Sequence, residues 1–247
     1  MSLIDESVEE VVRMRIAALD RHAATFQYWR QDELLVVDSF FEIDDLLREL
    51  DVVCPRAVRK TVPNYKSARS VSYFTLRQRA PAMLALYRSR ALIDFLSEMT
   101  GEELLTCPDD DPHACAVYEY DRAGDRVGWH YDISWYEGAR FTVLLGLFDD
   151  SSARLRCRLY TRDPYRPTRE VAIRTAPGSF VFFNGFKVQH CVSPTRAGER
   201  RAVLTLQYVT DRRMRAWRRG ISLAKDALTY FGLEALSAQR VTSNDSQ

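Results

Sequence analysis

The sequence predicts a mainly β fold with flanking helices, and three observations carry that prediction. From Leu104 to Val209, short runs rich in β-branched and aromatic residues alternate with turns of Gly, Pro, Asp and Ser, with no helical period between them. Apolar residues at helical spacing occupy the first thirty or so positions and recur in an insert before Gly101. Hydrophobic residues make up 46% and charged residues 28% of the 247, a globular balance with enough apolar material for one core.

Val8, Val11, Val12, Ile16 and Leu19 share one helical face, so the N-terminus reads as an amphipathic helix with Ser7 as its N-cap. Leu34 to Asp38 reads as a short buried strand and Asp44 to Leu50 as a helix. Tyr65 to Leu76, which contains SVSYFTL, is β-branched and aromatic and reads as a strand. Ala82 to Met99 is a second helical stretch, stopped by Gly101. Eight strands follow: HACAVYEY, GWHYDIS, RFTVLLGLF, RLRCRLYT, REVAIRT, SFVFFNG, KVQHCVS and RRAVLTLQYV. Their spacing points to a sandwich, barrel or jelly roll and away from a parallel α/β sheet. After Thr210 the chain turns basic, in DRRMRAWRRG, and then helical from Ala224 to Leu236. The expected organisation is a single domain, with a helix over 1–33, a β core with a helical insert over 34–210, and a helical tail over 211–247.

Charge and cysteine usage narrow the function classes. With 35 basic and 34 acidic residues the formal net charge is +1, so no overall field favours nucleic acid or an anionic membrane. A local exception is Arg212, Arg213, Arg215, Arg218 and Arg219 around Trp217, the pattern of a nucleic-acid contact or of a solvated helix face. Five scattered cysteines without a CxxC pair argue against a disulfide framework or a zinc knuckle and for reduced thiols in the cytoplasm. The N-terminal stretch has early acids and no sustained apolar run, so it reads as neither a signal peptide nor a membrane span. Asp109-Asp110-Asp111 reads as a solvated turn, and His22 and His113 as structural.

The chemistry concentrates in His130-Tyr131-Asp132 and in His190. A histidine and an aspartate two positions apart on an extended segment point the same way. A histidine from a distant strand completes three ligands, and these two positions take two of only four histidines in the chain. Two imidazoles and one carboxylate suit non-haem Fe(II), with the opposite positions open for a co-substrate and O₂. Ten residues beyond His190, across a turn containing Pro194 and Gly198, stand Arg200 and Arg201. Neighbouring strand residues face opposite ways, so only one of this pair turns inward.

In these residues the chain resembles the 2-oxoglutarate- and Fe(II)-dependent dioxygenases, whose pattern is HxD, a distal His and, about ten residues later, an Arg or Lys. The match is strongest from Tyr118 to Leu206. The resemblance implies a double-stranded β-helix, the cupin-like jelly roll, with His130, Asp132 and His190 as catalytic iron ligands. It implies 2-oxoglutarate bound through Arg200, favoured by family spacing over Arg201, with Tyr120 beside it. Succinate and CO₂ are the implied co-products and hydroxylation the implied outcome. The related halogenases replace the carboxylate ligand by a small residue to admit chloride, whereas this chain keeps Asp132. Asp149 to Leu155 departs from the Gly-Gly-Glu type segment of the prolyl-hydroxylase side of the family. The stretches YKSARSVSYFTL, GWHYDISWYEGARFTVLLGL and KDALTYFGL are closer to small bacterial enzymes that oxidise free amino acids and similar metabolites. Arg69, Tyr73, Trp135 and Arg140 are the candidate substrate residues, with Trp129 and Tyr136 near them; aromatics with an arginine suit a small polar molecule bearing a carboxylate or phosphate. The competing readings are the same fold acting on nucleic acid or protein side chains, and a non-catalytic cupin-like metal-binding module.

Overall fold

The computed structural model describes residues 2–132 and 136–214. The expectations for Trp135, for the basic cluster from Arg215 to Arg219 and for the helix from Ala224 to Leu236 fall outside those residues.

The expected N-terminal helix is two helices. Helix α1, Leu3–Ala18, starts earlier than expected because Ser2 and Asp5 form a capping box: the Ser2 hydroxyl accepts from the Asp5 N–H at 3.2 Å and the Asp5 carboxylate from the Ser2 N–H at 2.8 Å. Ser7 therefore lies inside the helix. At Asp20 the carboxylate accepts the Ala23 N–H at 2.9 Å and starts α2, Arg21–Arg30. Strand β1 (Leu34–Val37) and helix α3 (Asp44–Val53) follow as expected, and a short 3₁₀ turn, Cys54–Arg56, leads into a hairpin of β2 (Val58–Val62) and β3 (Lys66–Val71).

The strand expected to reach Leu76 ends at Val71. Ser72 caps a helix with its hydroxyl, so Tyr73–Arg79 forms α4 despite its aromatic and β-branched start. Pro81 takes the first position of α5 (Pro81–Arg88), and Ser89 caps α6 (Arg90–Thr100), which Gly101 ends in the left-handed region at φ 73°. The stretch expected as one helix is thus α5 and α6. A two-residue strand, β4 (Leu105–Thr106), precedes the eight expected strands, all of which form: β5 (Cys115–Tyr120), β6 (Arg126–His130), β7 (Arg140–Asp150), β8 (Leu155–Leu159), β9 (Arg169–Ile173), β10 (Phe180–Asn184), β11 (Gln189–Val192) and β12 (Arg200–Val209).

Every pairing is antiparallel, in the order β1-β10-β7-β12-β5-β3-β6-β11-β8-β9. Strand β3 pairs with β5 through residues 69–71 and with β6 through 66–67, so it joins a larger sheet to a smaller one in a curled β frame. Strand β10 explains how the layers stack. Phe180 and Phe182 face the helices, in a core with Tyr28, Leu92, Leu96, Leu145 and Leu204, while Val181 and Phe183 pack with Leu155, Cys157 and Leu159 of β8 and with Val188 just before β11. Burial on both faces accounts for its unbroken apolar run. All five cysteines are buried free thiols. Among the described residues, no helix is long and apolar enough to cross a membrane.

Candidate metal centre

Strand pairing brings the two histidines together. His130, the last residue of β6, stands directly opposite His190 on β11, with ring centroids 4.1 Å apart. The Nδ1 of His130 is 2.8 Å from the Gly128 carbonyl and that of His190 is 3.1 Å from the Val188 carbonyl. A carbonyl can only accept, so each Nδ1 carries the proton and each Nε2 keeps its lone pair. Both Nε2 atoms converge on Oδ1 of Asp132, at 3.5 and 3.7 Å. One ligand atom from each of the three residues lies within 4.8 Å of the others.

Asp132 reaches this position by a route other than strand alternation. Strand β6 ends at His130, and Asp132 is held by the turn after β10: its backbone N–H donates to the Gly185 carbonyl at 2.9 Å. Gly185 has to be glycine, because a Cβ there would stand 2.5 Å from the Cβ of Asp132. The turn is fastened from below, where the Asn184 side chain donates to Glu33 at 2.7 Å and Lys187 pairs with the same carboxylate. Oδ2 of Asp132 accepts the Thr142 hydroxyl at 2.5 Å.

The charges follow from this packing. Burial and then the neighbouring His130 push His190 down to about 4, so it stays neutral and available as a ligand. Burial would raise the Asp132 carboxyl, but His190, His130 and the Thr142 hydrogen bond outweigh it and hold the group well below the usual carboxylate range. Burial alone would lower His130; the Asp132 carboxylate beside it reverses that and leaves it raised.

The two arginines on β12 divide as the alternation demands, and the inward one is Arg201. It lies opposite Tyr120 of β5, is 0% exposed, and stacks on that ring 5.2 Å from its centroid. Its Nε donates to the Thr175 hydroxyl at 2.9 Å, while among the described residues neither terminal nitrogen has a hydrogen-bonding partner. Burial lowers the pKa of Arg201 and pushes Tyr120 up to about 12. Arg200, expected at this place from family spacing, points the other way: its Nε donates to Glu119 at 2.9 Å on the half-exposed outer face.

The sequence model of the Halogenase D family matches residues 9–137, just over half of the chain. The chain belongs to the Halogenase D family. The matched span holds Tyr120, His130 and Asp132; His190 and Arg201 come from beyond it. No curated protein sequence matches significantly. Among solved structures, the non-heme alpha ketoglutarate dependent epimerase SnoN from nogalamycin biosynthesis is similar at 15% identity, with 76% of this chain and 80% of that one covered at a TM-score of 0.62. A prolyl hydroxylase from Trichoplax adhaerens is similar at 14% identity, 88% and 94% coverage and a TM-score of 0.60. A prolyl-4-hydroxylase from Pseudomonas putida is similar at 18% identity, 78% and 100% coverage and a TM-score of 0.53. The fold of this Halogenase D family chain is thus the jelly roll of the 2-oxoglutarate and Fe(II) oxygenases, as the motif resemblance implied.

The remaining candidate residues of this Halogenase D family chain separate by face. Arg69 joins Arg200 on the outer side, donating to Glu119 and to the Cys54 carbonyl, both at 2.7 Å. Tyr73 begins α4 instead of lining a strand; its ring is core, and its hydroxyl donates to Asp109 and accepts from Arg88, each at 2.7 Å. Trp129 is covered by Arg158, whose guanidinium carbon lies 3.9 Å from the ring centroid. Arg140 is buried and donates through Nε to Gln207 at 2.9 Å, with Asp111 at 3.4 Å. Asp111 also accepts from the Tyr136 hydroxyl at 2.9 Å, so this part of the acidic triplet is a buried acceptor and the expected solvated turn is corrected. Thr142, Gln207 and Gly185 went unnoticed in the sequence. The available signal was a hydroxyl and an amide inside otherwise apolar strands, RFTVLLGL and RAVLTLQYV.

Proposed function

We propose that the chain is a single-domain, cytoplasmic 2-oxoglutarate- and Fe(II)-dependent oxygenase that hydroxylates an unactivated C–H bond of a small polar metabolite, such as a free amino acid or derivative. The observation that carries the reading is a complete set of two histidines and one carboxylate on a frame that also buries a guanidinium with two unsatisfied nitrogens. The donor set fits Fe(II), since both Nε2 atoms and Oδ1 of Asp132 converge on one place and the carboxylate is held ionised. Arg201 fits a carboxylate: the Asp149 carboxylate that acts on it is itself held by Arg174, and a bidentate carboxylate would give its two unsatisfied terminal nitrogens two charge-assisted bonds. The similar SnoN structure is a complex with Fe3+, alpha ketoglutarate and nogalamycin RO.

When bound, iron with 2-oxoglutarate and O₂ supplies the oxidation of the C–H bond, with succinate and CO₂ as co-products. The protein's share is placement and charge. His130 and His190 present lone pairs, their protons fixed on backbone carbonyls. Asp132 neutralises part of the ion's charge. Arg201 takes the far carboxylate of the 2-oxo acid, with Tyr120 against its face. On the Asp132 side, Thr142, Gln207, Arg140 and Asp111 form a buried polar cluster, a neighbour that suits a small polar substrate better than an apolar one. Five free thiols fit a reducing compartment.

Membership in a halogenase family raises chlorination as the second reading. Against it stands Asp132, which fills the third ligand place where a halide would need room and is backed at contact distance by Gly185. The test incubates the protein with Fe(II), 2-oxoglutarate, O₂ and chloride over pools of amino acids and related metabolites. Succinate formation with a product heavier by one oxygen is expected. A chlorinated product would replace hydroxylation by halogenation, and no succinate from protein that binds Fe(II) would remove the enzyme reading. Nucleic acid as substrate has little on the described surface, where Arg212 is engaged with Thr106 and Arg213 with Asp211.

A further inference from the structure

We infer that Thr142 is the positioning residue of the carboxylate ligand: its hydroxyl holds Oδ2 of Asp132 so that Asp132 offers the ion only Oδ1. The inference rests on the metal-site reading above and concerns how this chain sets the number of positions left open. A carboxylate has two oxygens and binds a cation through either one or both. Three protein ligands in a six-coordinate ion leave three places, enough for a two-toothed 2-oxo acid and O₂; a chelating Asp132 would remove one of them.

The geometry favours the one-oxygen mode. Oδ1 is the atom that both imidazole Nε2 atoms face, and Oδ2 is turned away to accept the Thr142 hydroxyl at 2.5 Å. Thr142 is itself buried, 2% exposed, at an inner position of β7 opposite Gln207 of β12. Its oxygen also lies 3.0 Å from Oε1 of Gln207. One hydroxyl has one proton, so it cannot donate to both acceptors. The carboxylate is the charged and nearer acceptor, and Gln207 Oε1 already receives the Arg140 Nε–H at 2.9 Å. The proton therefore goes to Asp132. Arg140 is in turn seated on Asp111, with the Tyr136 hydroxyl on the same oxygen. A buried chain of side chains thus fixes the Thr142 oxygen in place, and the Gly185 backbone on the other side blocks Asp132 from swinging away.

The experiment measures Fe(II) affinity of the metal-free protein by competition with a chromophoric chelator, without oxygen, and then binding of 2-oxoglutarate to the Fe(II)-loaded protein. Thr142→Val removes the hydroxyl at nearly constant volume, Thr142→Ala removes it with room to spare should the valine variant misfold, and Thr142→Ser restores it. A loss of about 10- to 100-fold in Fe(II) or 2-oxoglutarate affinity is expected for the two hydroxyl-free variants, with serine within about threefold of the wild type. Folding is read independently from the thermal midpoint of the metal-free proteins. Hydroxyl-free variants that bind both ligands like the wild type would overturn the inference, as would a serine variant as impaired as valine, since the methyl group would then be what matters. Failure of the wild type to bind Fe(II) at all would instead overturn the metal-site reading, and the inference with it.

Discussion

Arg200 and Arg201 are neighbours in the chain and occupy opposite worlds. Arg200 lies on the outer face in a set of ion pairs with Glu119, which Arg69 also binds, and Arg59 extends the set through Asp121 and Asp125. Every charge there has a counter-charge. Arg201, one residue on, is fully buried, with a threonine, an aromatic ring and two unsatisfied nitrogens. A buried cation with unsatisfied nitrogens is costly to the native state, and the Asp149 carboxylate that acts on it is already held by Arg174 and Ser151. The outer cluster is closed on itself, whereas the inner arginine keeps two nitrogens that, on the proposed function, the carboxylate of a ligand would fill.

That contrast makes the two faces respond differently to substitution. The largest effect belongs to the inner site: Asp132→Ala should lower turnover by more than about 1000-fold, because it removes both a ligand and the charge that balances the ion. Succinate release measures this directly. Next is Arg201→Met, expected to weaken 2-oxoglutarate binding by about 100-fold, which corresponds to roughly 3 kcal/mol from a lost bidentate pair. Its thermal midpoint should be unchanged or higher, since replacing a buried charge with two unsatisfied nitrogens by an apolar chain removes a desolvation cost. A clear drop in the midpoint of Arg201→Met would mean that the guanidinium is structural after all. Gly185→Ala should cost about 1–3 kcal/mol of stability and loosen Fe(II), because the new methyl collides with Asp132. The smallest effect is that of Arg200→Ala: 2-oxoglutarate binding within about threefold of wild type, with a stability loss of about 1 kcal/mol read from denaturant unfolding.

How much of this was legible in the sequence depended on whether the deciding forces were local. The eight strands from Cys115 to Val209 were legible because alternation and turn residues are local signals, and β10 showed its double burial as an unbroken apolar run. Helix α4 was not, because Tyr73-Phe74-Thr75 carries strand-like residues and only the Ser72 cap and the packing of Tyr73 into the helical layer decide for a helix. The candidate metal ligands were legible as a motif, yet the reason that Asp132 points inward was not: it comes from Gly185, more than fifty residues downstream. Spacing put the candidate co-substrate cation at 200 or 201, and alternation required that one face inward. Which one depends on the register of β12 against β5, where Arg201 meets Tyr120, and no local pattern encodes that. Asp111 likewise resembled a solvated acid because its partners, Tyr136 and Arg140, stand far along the chain.

The most direct test of the account is anaerobic titration of 2-oxoglutarate into Fe(II)-loaded wild type, Arg200→Ala and Arg201→Met. The account predicts that wild type and Arg200→Ala bind alike, within about threefold, and that Arg201→Met binds about 100-fold more weakly while remaining folded. Weak binding by Arg200→Ala together with wild-type binding by Arg201→Met would contradict it.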